Sequence, residues 1–136
     1  MKKIILFGLA VLLALAVTES CKKKKDGGND RCGESEIKVA TIPATGTVDP
    51  PAPGTSFPLI VNVESMPASG ASIAVSAKAE GNATAYFTDS LKVATASNSF
   101  QITNTPAGVT CVVSVTVTSK TCNTNQWTGT YRYSAK

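Results

Sequence analysis

The sequence predicts an all-β fold: an antiparallel β-sandwich of about seven strands, preceded by an N-terminal leader and a tether. From residue 36 onward, apolar and polar residues alternate in short runs, as they do in strands with one buried face. Turn-forming residues separate these runs at the spacing typical of a sandwich. Aromatic residues make up 6% and charged residues 16% of the 136-residue chain. This composition, rich in Val, Ser and Thr, suits strands in a single domain.

The alternating runs follow one another along the whole domain. They are residues 37–41, 57–63, 73–79, 83–87 with Leu91 and Val93 after them, 100–102, 109–120 and 127–134. The strongest run is 109–120, in which Val109, Cys111, Val113, Val115 and Val117 share one face. Segments rich in Pro, Gly, Asn or Ser lie between the runs, and the longest of them is 43–56. Each run is therefore predicted to be one strand of the sandwich.

The positive charge of the chain is concentrated before the domain. The net charge is +4 and there is no histidine. Lys2, Lys3 and the four lysines at 22–25 supply this excess, whereas basic and acidic residues nearly balance from residue 36 onward. The domain has no basic stripe interleaved with aromatic residues, which is the usual pattern of nucleic-acid binding. We therefore expect no nucleic-acid partner.

The first 20 residues have the pattern of a secretory signal peptide. Met1, Lys2 and Lys3 form a basic start, and residues 4–17 form an apolar run of about 14 residues. This run is shorter than the ~20 residues that a helix needs to span a bilayer. A short apolar run behind a basic N-terminus is typical of a leader that is removed after export.

Ser20 and Cys21 end this leader, and four lysines follow. In this order of features the chain resembles bacterial lipoproteins, particularly those of Bacteroidota type. The resemblance implies cleavage before Cys21, attachment of lipid (including palmitate) at Cys21, and a lipid anchor in the cell envelope. The expected location is the outer membrane, with either leaflet open. The chain departs from the family at Thr18 and Glu19, where an apolar and a small residue are preferred. Ordinary signal cleavage and an uncleaved, reversed anchor remain as alternatives.

Residues 21–35 are predicted to be a flexible basic tether, and residues 36–136 the sandwich. Gly27, Gly28 and their polar neighbours offer too little apolar surface to fold. Each lysine near an anionic leaflet adds about 1 kcal/mol of attraction, so lipid and lysines together would hold the domain at the membrane. A solvated charge run without a specific role is the alternative. In the resembled family, acidic residues after the cysteine favour surface export. This chain has lysines at those positions, so the resemblance does not indicate surface export.

The last two runs, 109–120 and 127–134 with a polar hairpin between them, resemble the final strands of immunoglobulin-like and fibronectin type III modules. The resemblance covers the domain loosely. It implies an immunoglobulin-like sandwich, in which the N-terminus of the domain lies at the same end as the loop between the last two strands. It implies nothing specific about function.

Three cysteines remain if Cys21 carries lipid, and export permits one disulfide among them. A Cys111–Cys122 bond fits poorly. Residues 111–117 extend ~20 Å as a strand, and the chain from 117 to 122 reaches back ~17 Å at most. The immunoglobulin-like resemblance instead brings Cys32 to Cys122, so we expect this disulfide and a buried, free Cys111. We expect no metal, because the three cysteines are separated and histidine is absent.

The residue types present do not favour catalysis. Without histidine the chain cannot form a Ser-His-Asp or Cys-His site. Glu64 and Glu80 are predicted to lie on outward strand positions, and Asp49 and Asp89 in connections, so no acid–base pair is indicated. No glycine-rich phosphate loop occurs either. We expect neither an enzyme nor a cofactor.

Two features of the domain are candidates for a functional role. Trp127, Tyr131 and Tyr133 share one face of the last run, where aromatic rings can stack on sugars. The scarcity of aromatic residues favours a role in the core instead. The second feature, Asp89-Ser90-Leu91, resembles the acceptor for O-glycosylation in exported Bacteroidota-type proteins, with Ser90 as the acceptor. The expected function is a non-catalytic binding or structural module with a protein or glycan partner. The alternative is a carbohydrate-binding or adhesion module.

Overall fold

A computed structural model describes residues 30–136 and confirms the predicted immunoglobulin-like β-sandwich. The three-stranded sheet has the order β1-β2-β5 and the four-stranded sheet the order β4-β3-β6-β7, both antiparallel. The strands are β1 Lys38–Ile42, β2 Phe57–Ser65, β3 Ala71–Ala79, β4 Ala85–Leu91, β5 Ser97–Ile102, β6 Thr110–Ser119 and β7 Gln126–Ser134. The predicted signal peptide, Cys21 and the tether up to residue 29 lie outside the described residues.

Alternation along the strands builds the core between the two sheets. In β6, Cys111, Val113, Val115 and Val117 are completely buried, while the residues between them face outward. Leu59 and Val61 of β2 lie opposite in the core. Burial of each such side chain contributes about 1.5–3 kcal/mol. A shift of β6 by one residue would place its serine and threonine hydroxyls in the core, so the core determines the register.

Two positions depart from the sequence prediction. Val109 was expected on the buried face of the sixth strand, but β6 begins at Thr110 and Val109 is 40% exposed in the preceding connection. Asp89 was expected in a connection, but it lies in β4 and pairs with Val75. Because directly opposed residues share a face, Asp89 puts a charge on the inner side of an edge strand. Such a charge discourages pairing with another chain.

The connection from β1 to β2 covers the outer edge of β7. The chain leaves β1 at the cis bond between Ile42 and Pro43 and then runs parallel to β7. The Asp49 N–H donates to the Arg132 carbonyl at 2.8 Å, and the Arg132 N–H donates to the Thr47 carbonyl at 2.9 Å. The edge of the four-stranded sheet at β7 is thus covered by the domain's own backbone, which blocks pairing with other chains.

The antiparallel order sorts the connections into two groups at opposite ends of the sandwich. Residues 30–37 share one end, the N-terminal end, with the β2–β3, β4–β5 and β6–β7 connections. The β1–β2, β3–β4 and β5–β6 connections form the other, C-terminal end together with residues 135 and 136. Backbone hydrogen bonds link the connections within each end, such as Lys120 to Gly70 at the first and Gly108 to Ala135 at the second.

Candidate functional site

A disulfide joins Cys32 to Cys122 at the N-terminal end, with 6.0 Å between their Cα atoms. This is the pairing that the sequence analysis preferred. Cys111 is free and buried in the core, as expected there. The bond closes a loop with a sequence separation of 90 residues. A loop of that length restricts the unfolded chain by roughly 4–5 kcal/mol in the chain-entropy model.

Glu34 reinforces the attachment beside the disulfide. Its carboxylate accepts hydrogen bonds from the Ser69 hydroxyl at 2.7 Å and from the Thr121 hydroxyl at 2.5 Å. The buried Asn125 amide donates to the other carboxylate oxygen at 3.0 Å. Glu34 therefore connects the start of the domain to both the β2–β3 and the β6–β7 connection.

The hydrogen bonds around Glu34 favour its charged form. Four side-chain hydrogen bonds lower the pKa of Glu34 from 4.5 to about 2. The largest effect comes from the Ser119 hydroxyl, followed by the Thr121 hydroxyl, the Asn125 amide and the Ser69 hydroxyl. Ser119 also supports the cluster through Ser69, whose hydroxyl lies 3.1 Å from its own. The carboxylate is consequently ionised at any pH at which the domain is expected to work.

Residues 30–35 are attached to the domain, although the sequence analysis assigned them to the tether. The Thr124 hydroxyl donates to the Asp30 carbonyl, and Asn125 donates to the Ser35 carbonyl at 3.0 Å. An ion pair of 2.9 Å joins Arg31 to Glu36. The folded unit therefore begins before the predicted boundary at residue 36.

Tyr131 and Tyr133 belong to the core. Their exposed fractions are 2% and 4%. The Tyr133 ring packs against Phe57 with 4.7 Å between centroids and against Tyr131 with 6.1 Å. A sugar cannot stack on rings covered in this way, so the core role that the sequence favoured is confirmed for these two residues and the candidate sugar-stacking role is wrong. They fill the space between the sheets instead.

Trp127 is half-buried and lies over the backbone of Gly129. A Cβ added at Gly129 would lie less than 3.0 Å from the Trp127 ring and from the Thr45 methyl group. Glycine at this strand position therefore makes room for the indole and for the β1–β2 connection. Trp127 also packs against the core, so its main role is structural.

A buried hydrogen-bond network links the aromatic core to the connections. The Tyr133 hydroxyl lies 2.7 Å from the Tyr86 hydroxyl and 2.6 Å from the Thr105 hydroxyl. Burial raises the pKa of both tyrosines, so both stay neutral. The sequence analysis missed this network because Tyr86 lies at a β-bulge, where the alternation of the strand is broken.

Ser90 is exposed on the outer face of the four-stranded sheet, where a modifying enzyme could reach it. Its N–H donates to the Asp89 carboxylate at 2.7 Å. Further hydroxyls from β4 itself and from β3 and β6 line a shallow groove of about 460 Å³ beside it. These hydroxyls belong to Ser76, Thr88, Ser114 and Thr116. The alternating Ser and Thr residues of β3 and β6 were the sequence signal for this face.

An apolar pocket of about 220 Å³ opens at the C-terminal end. Isoleucine, proline and alanine side chains of β1, β2 and the connection between them line it, together with Phe57, Tyr131 and Tyr133. Among residues 30–136, Asp49 is the one charged residue that lines this pocket. The sequence analysis did not predict the pocket, because residues far apart in the chain meet there.

The described residues contain no cluster of metal-ligating side chains and no helix long and apolar enough to cross a membrane. Comparisons with protein-family models, with curated proteins and with solved structures gave no match.

We predict that Glu34→Gln lowers the stability of the domain at neutral pH but not in strong acid. The folded state lowers the pKa of Glu34, so its contribution is present above about pH 4.5 and is lost as the pH falls towards about 2. Denaturant unfolding of both proteins at several pH values measures the difference. Glu64→Gln is the control, since Glu64 is exposed and has no side-chain hydrogen bond among residues 30–136. A Glu34→Gln effect that stays the same from pH 7 to pH 2 would contradict the prediction.

We predict that Gly129→Ala destabilises the domain by about 1–3 kcal/mol, because the added methyl group overlaps the indole of Trp127. Trp127 is the single tryptophan, so its fluorescence should shift to longer wavelength as the ring moves into water. Thermal unfolding and emission spectra check both effects. The exposed neighbour Thr128, changed to Ala, should leave the emission unaltered. An unchanged spectrum and midpoint in Gly129→Ala would refute the packing argument.

Proposed function

We propose that this chain is an envelope lipoprotein whose sandwich acts as a non-catalytic binding or structural module. The observation that carries the proposal is the way the start of the domain is attached. The leader-like segment ends at Cys21, and the domain is covalently fastened through Cys32 to the β6–β7 connection. A force on a tether attached at Cys32 would act on the disulfide and on the Glu34 hydrogen bonds rather than on the end of β1.

This attachment supports a defined orientation at the membrane. Eight residues lie between Cys21 and Asp30, and at full extension the nine steps from Cys21 to Asp30 span about 30 Å. The lysines at 22–25 would shorten this distance further by attraction to anionic lipid. The N-terminal end then faces the bilayer, and the C-terminal end, with the apolar pocket, is free to meet a partner.

A binding or structural role agrees with the chemistry of the domain better than catalysis does. A chain without histidine lacks the most common acid–base residue at neutral pH. The carbohydrate-binding alternative depended on exposed, adjacent aromatic rings. Tyr131 and Tyr133 are buried, so a stacking surface of this kind does not support that alternative.

We predict that palmitate labels the chain in cells and that Cys21→Ala abolishes the label. Cys32→Ala, which changes the next cysteine along the chain, should keep it. Metabolic labelling followed by gel analysis of the immunoprecipitated chain is the measurement.

Protease added to intact cells should leave the domain uncut, and permeabilised cells should lose it, because the lysines after Cys21 argue against surface export. A label that survives Cys21→Ala would defeat the lipoprotein proposal, and digestion in intact cells would place the domain on the surface.

We further propose that Ser90 carries an O-glycan, and we predict an intact mass above that of the lipidated chain. Ser90→Ala should remove the excess mass, and the exposed neighbour change Thr88→Ala should retain it. Mass spectrometry of the native protein decides between these outcomes. A native mass accounted for by protein and lipid alone would rule out glycosylation.

A further inference from the structure

The apolar pocket contains two polar groups that have no partner within the domain. The Asp49 carboxylate forms no ion pair or side-chain hydrogen bond with any residue from 30 to 136. Arg132, whose backbone contacts Asp49, directs its side chain to Glu80 at 2.7 Å instead. The negative charge at the pocket is therefore uncompensated within the described part of the chain.

The Tyr131 hydroxyl is the second such group. It makes no hydrogen bond within the described residues, and yet no buried side-chain oxygen or nitrogen there lacks a partner. The hydroxyl must therefore reach solvent, although Tyr131 as a whole is only 2% exposed. Asp49 and Tyr131 both line the pocket. The pKa of Tyr131 is raised by burial first, then by Tyr133 and then by the charge of Asp49.

Apolar side chains surround these two groups. Ile42, Pro43, Pro58 and Ile60 are among the lining residues, and Ile42 is 58% exposed although it is a large apolar residue. Exposed apolar surface next to a cavity is characteristic of a binding site. The volume of about 220 Å³ is smaller than the roughly 300–1,000 Å³ of pockets for drug-sized molecules.

We propose that the apolar pocket binds a small organic cation: an ammonium group on an apolar body of about four carbons. The ammonium pairs with the Asp49 carboxylate and donates a hydrogen bond to the Tyr131 hydroxyl oxygen. The apolar body lies against Ile42, Pro43 and Pro58. An anion is disfavoured because the Asp49 carboxylate would repel it. A neutral sugar is disfavoured because most of the lining cannot form hydrogen bonds.

This inference names the ligand of the proposed binding module and rests on that proposed function. It does not depend on Cys21, because the pocket lies at the C-terminal end of the domain. The two proposals can therefore fail separately. Capture of a different partner by the intact protein, without any preference for a cation, would leave the binding role standing and remove only this ligand.

The test uses the full chain in lipid nanodiscs, with isoleucine methyl groups labelled for NMR, and n-butylammonium as the probe. The methyl signals of Ile42 and Ile60 should shift in a saturable way, and that of Ile37, at the N-terminal end, should stay in place. The probe 1-butanol has the same apolar body without the charge. It should bind about two- to fivefold more weakly, as expected for the loss of one partly exposed charge pair.

Two variants test whether the preference for the cation depends on the Asp49 carboxylate and the Tyr131 hydroxyl. Asp49→Asn should lower the affinity for n-butylammonium to that for 1-butanol, and Tyr131→Phe should lower it about twofold. Glu64→Gln changes an exposed carboxylate at the other end and should have no effect. Unchanged methyl signals at Ile42 and Ile60, equal affinities for the two probes, or full affinity in Asp49→Asn would each overturn the proposal. Circular dichroism and the Ile37 signal show that the variants are folded.

Discussion

The structure of this domain depends on the burial of β6 between β3 and β7. Cys111, Val113, Val115 and Val117 are completely covered, and both edges of the strand are paired along their length. Because alternate residues of β6 face the core, the neighbouring strands can align in one register only. That register determines three further features of the domain: the outer face with its hydroxyls, the inward direction of Tyr131 and Tyr133, and the position of the β6–β7 connection.

The two ends of the sandwich have different chemistry as a result. At the N-terminal end, a disulfide and an ionised Glu34 attach the incoming chain to two connections. At the C-terminal end, the β1–β2 connection crosses to β7 and leaves an apolar pocket beneath it. The attachment of the incoming chain and the apolar pocket are thus separated by the length of the strands. The proposed membrane-tethered binding module would benefit from this separation, because a force on the tether would act at the end opposite the pocket.

The strands could be predicted from the sequence because their signal is local. Alternation in β2, β3 and β6 marks the buried face directly, and glycine and proline mark the turns. Edge positions were harder to predict. Asp89 resembles a loop residue, since it is charged and followed by serine, but an edge strand accommodates it because one side of that strand has no neighbour. Val109 extends the apolar alternation of β6, but pairing with β7 begins only at Thr110.

By itself, the sequence determined the leader-like segment, the neutral domain, the number of strands and the face that each strand buries, because these depend on composition and on the spacing of neighbouring residues. The immunoglobulin-like resemblance added the pairing of Cys32 with Cys122. Only the tertiary structure decided that Tyr131 and Tyr133 are buried, that Glu34 hydrogen-bonds to two connections, and that Asp49 lies at an apolar pocket without an ion pair among residues 30–136. Each of these depends on contacts between residues far apart in the chain, and the spacing of residues along one strand carries no information about them.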